Sequence, residues 1–270
     1  MYNKQSIRRR IALVAVGVAA LALTATNTLA AQNEPRQPKP TVVLVHGAFA
    51  DASTWNGVID RLQRDGYPVI APANPLRGIA SDATYLASVV KTIPGPVVLA
   101  GHSYGGAVIG QAAAGLPNVK SLVFVDAFAL DVGEPAGSIG ERFPNNLLGP
   151  ALITRPYALP GGQTGTDVYV QPSRFREVIG ADVPEHAIAL AAAAQRPVDQ
   201  SAFVEPPTAA AWKTIPSWFV IGRQDKAIDP AGLRFMAKRA HGRTTEIDAS
   251  HLGLISHAGT VADVIERAAR

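Results

Sequence analysis

Cysteine is absent from the 270 residues. That excludes a thiol nucleophile, a zinc–thiolate centre, an iron–sulfur cluster and any disulfide. Aromatic residues are sparse at 6%, and charged residues make up only 17%. Beside 47% hydrophobic residues, so little charge excludes a disordered chain and indicates one large folded domain. A surplus of positive charge is also missing from most of the chain. The formal +4 comes from Lys4, Arg8, Arg9 and Arg10, because residues 31–270 hold 21 basic and 21 acidic side chains. The high sequence pI therefore says nothing of nucleic acid, and no such partner is expected. The histidines lack close ligand spacing on one element, so no metal and no other cofactor is expected.

The apolar run over residues 11–23 follows that basic cluster and is too short for a typical membrane span. Thr28-Leu29-Ala30 then offers small residues where a signal peptidase reads. Residues 1–30 are expected to be a cleavable export signal, placing the protein in the periplasm or outside the cell, with no stable membrane insertion after removal. An uncleaved anchor is the alternative, and the paired arginines also allow a twin-arginine route. Residues 31–40 are a polar, proline-rich tether.

Apolar strands then alternate with amphipathic helices. Strands are expected at 41–45, 67–71, 96–100, 121–125, 218–221 and 244–247. Trp55, Val58, Ile59 and Leu62 form one helical stripe, and Leu86, Val89, Val90 and Ile93 another, in a helix over 82–93. Further helices are expected from 104 to about 115, at 230–240 and at 261–268. Between 126 and 215 the rhythm breaks and strand signals are poor, with helices at 172–179 and 184–194. That stretch reads as an inserted helical lid. The alternation predicts a parallel sheet covered on both faces, with ligands beyond the C-terminal strand ends.

Ser103, His46, Asp126, Asp225 and His251 all fall at such ends. Gly101-His102-Ser103-Tyr104-Gly105 follows a strand and opens a helix, the pattern of a serine held on a sharp turn with its hydroxyl clear of the sheet. A serine needs a base, and the base needs an orienting carboxylate. His251 suits the base, in the loop after the last strand. Chain order favours Asp225 as the acid, with Asp126 the alternative. Asp51, Asp229 and Asp248 read as caps or turn residues. His46 reads as a support, and the ring of His102 as directed away from the serine. His186, His241 and His257 read as bland. The oxyanion donors are expected to be the backbone N–H groups of Tyr104 and Ala48, with Phe49 the alternative to Ala48.

Together, the runs from Val42 to Phe49, Gly101 to Gly106, Gly222 to Asp225 and Ser250-His251 resemble the α/β-hydrolase superfamily. More narrowly they are similar to compact bacterial hydrolases related to plant hydroxynitrile lyases and methyl-salicylate-type esterases. The resemblance covers residues 41–269. It implies a three-layer α/β-hydrolase fold with a mostly or wholly parallel sheet of about six strands, lacking the superfamily's first two. It further implies a serine esterase acting through an acyl-enzyme, with Ser103, His251 and Asp225 as the triad. Leu252 stands where the lyases need a lysine, which argues against lyase chemistry. Ser103 stands where dehalogenases and epoxide hydrolases carry an aspartate. The expected substrate is a small, largely apolar ester. Alternatives are a lactone, thioester or amide, a cofactor-free haloperoxidase or perhydrolase activity, or a binding protein on the same scaffold.

Overall fold

The computed structural model describes residues 38–270. The expected export signal and all but the end of the tether lie outside the described residues. From Lys39 onward the chain forms one unit.

β1 (Thr41–Val45), β2 (Val69–Ile70), β3 (Val97–His102) and β4 (Val119–Val125) come first, and β8 (Ser217–Gly222) and β9 (Arg243–Ile247) follow an insertion. These six make one sheet in the order β2-β1-β3-β4-β8-β9, and every pairing is parallel. The β-branched run of β1 is buried from Val42 to Val45, as a strand covered on both faces must be. Every residue of β3 and of β8 is buried. Phe124 and Phe219 stack on neighbouring strands with centroids 4.8 Å apart.

Helices cover both faces and follow the expected stripes in part, since Ile59 and Val89 are only half-buried and Ile93 lies past the end of its helix. Val58 and Leu62 are the buried face of the helix Asn56–Arg64. The helix after β2 spans Ile79–Lys91, starting three residues earlier than its sequence pattern. Glu205, distant in sequence, accepts the Ala80 N–H at 3.3 Å and so supports that early turn.

Residues between β4 and β8 differ from the helical lid expected there. Helices Pro172–Ile179 and Glu185–Ala194 are present. So is a second, three-stranded antiparallel sheet of β5 (Leu152–Ala158), β6 (Thr164–Val170) and β7 (Val198–Asp199), which sequence reasoning missed. Pro156 argues against a strand on sequence, but β5 lies at the edge, where a missing N–H costs no ladder bond. Among the described residues no helix is long and apolar enough to cross a membrane.

Candidate active site

β3 ends at His102 and the helix Tyr104–Ala112 begins at once, so Ser103 alone makes the turn. Its φ of 52° and ψ of −124° are unusual for a residue with a side chain. The turn survives because its neighbours are small. A Cβ on Gly101 would lie 2.5 Å from the Gly105 carbonyl oxygen, and one on Gly105 would lie 2.5 Å from the Val45 carbonyl oxygen. Gly47 is equally confined, since a Cβ there would meet the Ser103 Cβ at 2.7 Å. The chain after β1 thus crosses directly over the serine.

Ser103, His251 and Asp225 are brought together as the sequence predicts. The Ser103 hydroxyl is 2.8 Å from His251 Nε2, and His251 Nδ1 is 2.7 Å from Asp225 Oδ2. The other Asp225 oxygen accepts the N–H groups of Ala227 at 2.8 Å and Ile228 at 2.9 Å. A carboxylate has only acceptors to offer, so His251 donates from Nδ1 and keeps its Nε2 lone pair for the serine. All three groups are buried, with exposures of 8%, 4% and 3%. The arrangement can take the serine proton, as serine-hydrolase chemistry requires.

Asp126 lies at the neighbouring strand end but does not reach His251. Its Oδ1 accepts the Gly222 N–H at 2.5 Å, and its Oδ2 has no partner among the described residues. Burial, and then the nearby Asp225 carboxylate, push its carboxyl well above the ordinary range.

The remaining histidines sort by their bonds. His46 Nε2 accepts the Asn74 N–H at 2.9 Å, so its proton sits on Nδ1, 2.9 Å from the Gly47 carbonyl. Its lone pair is committed, and His46 braces the loop after β1, as expected. Burial lowers its pKa. His102 makes its bond to the His251 loop and none to the Ser103 hydroxyl, in line with a ring directed away from the serine. Its ring lies 4.8 Å from the His251 ring, and its Nε2 donates to the His251 carbonyl at 2.9 Å. The side chain therefore turns toward the base, and burial holds its pKa well below the usual value. His186 and His241 are exposed, and His257 lies 2.9 Å from the Ser256 hydroxyl. Asp51 accepts from the Ser53 N–H, Asp229 caps the helix at Ala231 and also accepts the Asn145 N–H at 3.3 Å, and Asp248 pairs with Arg223, so none of the three bonds the triad.

Ala48, Phe49, Ser103, Tyr104 and His251 line one narrow cavity. The Tyr104 hydroxyl donates to buried Asp82 at 2.9 Å. Leu252 is buried and lines an adjoining cavity, so no cation follows His251. Sequence reasoning also missed Asp182, which accepts from the hydroxyls of Ser250 and Ser256 and so ties the insertion to the His251 loop. An aspartate in an irregular loop carries no local sign of such a partner. Among the described residues no group of His, Asp or Glu side chains could hold a metal ion.

Known proteins give the same picture of the chain. It is 25% identical over 257 residues to the alpha/beta hydrolase nvfD of Aspergillus novofumigatus, covering 86% of this chain and 97% of that protein. The crystal structure of polyneuridine aldehyde esterase superposes with a TM-score of 0.74 at 20% identity, over 85% of this chain and 98% of the other. A pyrethroid hydrolase from Sphingobium faniae superposes at 0.68 with 22% identity, over 85% and 97%. These likenesses to solved structures concern the fold. The family model described as "Alpha/beta hydrolase family" matches residues 42–264, and the chain belongs to that family.

Proposed function

We propose that this protein is a serine carboxylester hydrolase that cleaves small, largely apolar esters through an acyl-enzyme. One observation carries the reading: an unbroken chain of hydrogen bonds runs from Asp225 through His251 to Ser103. It ends in a cavity walled mainly by Phe, Leu, Ile, Val and Ala.

In this reading His251 Nε2 takes the Ser103 proton as Oγ attacks the ester carbonyl. The oxygen gains negative charge against the N–H groups of Ala48 and Tyr104. The helix that begins at Tyr104 adds a favourable field. The imidazolium then protonates the departing alcohol oxygen, and Asp225 holds the ring in register. Water, deprotonated by the same nitrogen, attacks the acyl carbon and releases the acid with Ser103 restored. Leu252 in place of a cation supports hydrolysis over cyanohydrin cleavage. The esterase and hydrolase names of the structural relatives support the same class. The amino-terminal pattern supports export to the periplasm or beyond, which cell fractionation of the full chain tests.

The functional test is turnover of 4-nitrophenyl esters from acetate to octanoate by the native protein and by Ser103→Ala. Native turnover that disappears in the variant is expected. Turnover retained by Ser103→Ala, or none by the native protein at any acyl length, overturns the reading.

A further inference from the structure

We infer that the site is built for a two-limbed ester, with the acyl chain in one apolar cavity and the departing alcohol in another. The inference rests on the ester-hydrolase reading above and specifies its substrate.

Three cavities lie in a row, and Ser103 lines the middle one. The narrow one, about 20 Å³, holds Ser103, Tyr104 and His251 in its wall. It shares Ala48, Phe49, Ile179 and His251 with a cavity of about 240 Å³. On its other side it shares Phe128, Ala136, Leu148, Phe203 and Ala227 with a cavity of about 290 Å³. The two large cavities have no lining residue in common. The narrow cavity lined by Ser103 is therefore the passage that joins them. Small Ala48, Ala136 and Ala227 leave that passage open, and a flat ester group suits it better than a branched carbon.

Both chambers suit apolar groups. Phe175, Leu190, Leu252 and Ile255 wall the first, and Ile139, Phe143, Leu152 and Ile228 the second. Chemistry decides which limb goes where. When the tetrahedral intermediate collapses, the bond from the former carbonyl carbon to the leaving oxygen breaks. That oxygen takes the proton from His251 Nε2. The leaving oxygen must then lie on the His251 side. His251 and Leu252 line the first chamber, and neither lines the second. The alcohol limb belongs in the first chamber, and the acyl limb extends past Phe128 into the second. Asp51, Ser53 and Thr54 lie at the first chamber, a polar edge suited to releasing an alcohol. The substrate class is an ester of an apolar acid and an apolar alcohol, each several carbons long. A methyl ester would leave the first chamber unfilled and forgo its contacts.

Two space-filling variants test the assignment without touching the triad or the oxyanion donors. A Cβ on Gly140, in the second chamber, meets only the Asn146 side chain at 3.8 Å, so Gly140→Leu narrows the acyl side. Ala191 is half-buried in the wall of the first, so Ala191→Phe narrows the alcohol side. The measurement compares ethyl, 4-nitrophenyl and 1-naphthyl esters of acetate and octanoate, and the decay of the octanoyl-enzyme after rapid mixing. Ala191→Phe is expected to lower kcat/KM for naphthyl relative to ethyl esters by about tenfold, the order of a clash with one bulky group. It should leave octanoyl-enzyme decay unchanged, because the alcohol has already departed. Gly140→Leu should lower octanoate relative to acetate by a similar factor with every alcohol, and slow that decay. Ethyl acetate, which fills neither chamber, reports whether each variant is folded. The reverse pattern, or no selective change in folded variants that turn over ethyl acetate, overturns the limb assignment alone. A native protein that turns over none of the esters overturns the ester reading beneath it.

Discussion

Strands β3 and β8 are buried at every position and lie in an all-parallel sheet, whereas β5 in the insertion has no buried residue and pairs antiparallel. Other residues of the insertion, Ile179 and Val198 among them, wall the cavity at the serine, and the two regions hold their groups differently. On the sheet side each group is held in a buried setting: Ser103 by its strained turn, Asp225 by two backbone N–H donors, and His251 by side-chain bonds to both. On the insertion side buried Val168, Val170 and Phe175 join the core, and partly exposed polar connections add to them. Arg77 pairs with Asp167 at 2.5 Å and lies over the Tyr157 ring, while Asp182 holds the His251 loop. A buried triad on the sheet and a wall supplied by a separate insertion is how such a family can vary substrate while keeping the reaction.

The comparison can be broken most sharply at the acid. Asp225→Asn should lower kcat by about four orders of magnitude, because an amide facing Nδ1 favours the wrong tautomer. Asp126→Asn, which touches no part of His251, should leave kcat nearly unchanged. Steady-state kinetics on one 4-nitrophenyl ester check both, and a collapse on changing Asp126 would move the acid.

A smaller contrast lies in stability. Phe219→Ala removes a ring stacked in the sheet core and should cost about 3–5 kcal/mol in urea unfolding. Arg77→Ala removes a partly exposed ion pair in the insertion and should cost less than about 1 kcal/mol. Equal costs would mean that the insertion is as tightly built as the sheet.

The least obvious effect depends on pH. Burial lowers the pKa of both His46 and His102, so the unfolded chain takes up protons that the folded one refuses. Stability from these groups is present above their ordinary value of 6.5 and is lost as pH falls below it. Each contributes a slope of up to about 1.4 kcal/mol per pH unit. Asp126 works in the opposite sense, because its raised carboxyl favours the fold at low pH and that contribution fades as pH rises above 3.8. Unfolding measured from pH 7.5 to 5 should show the net histidine loss. His102→Gln, which keeps a donor for the His251 carbonyl, should flatten it, and an unchanged slope would show that His102 is not held neutral.

The same division decided what could be read from the sequence. Thr41–Val45 announces a doubly covered strand by β-branching alone, and the glycines around Ser103 announce the turn by their size. Those signals are local, so β1, β3 and the serine turn were legible. β5 and β6 were not, because Pro156 interrupts one and Gly165 the other, and only mutual pairing makes them strands. The partner of His102 was not legible for a related reason. Its orientation is set by the carbonyl of His251, 149 residues away in the chain. The early start of the helix Ile79–Lys91 draws on Glu205 in the same long-range way.

The central claim is that Ser103 forms the covalent intermediate. Intact-mass analysis after treatment with a fluorophosphonate, followed by peptide mapping, tests it directly. A single adduct on Ser103 is expected, absent in Ser103→Ala and formed far more slowly in Asp225→Asn. An adduct on another residue, or a native protein that turns over esters yet acquires none, would contradict it.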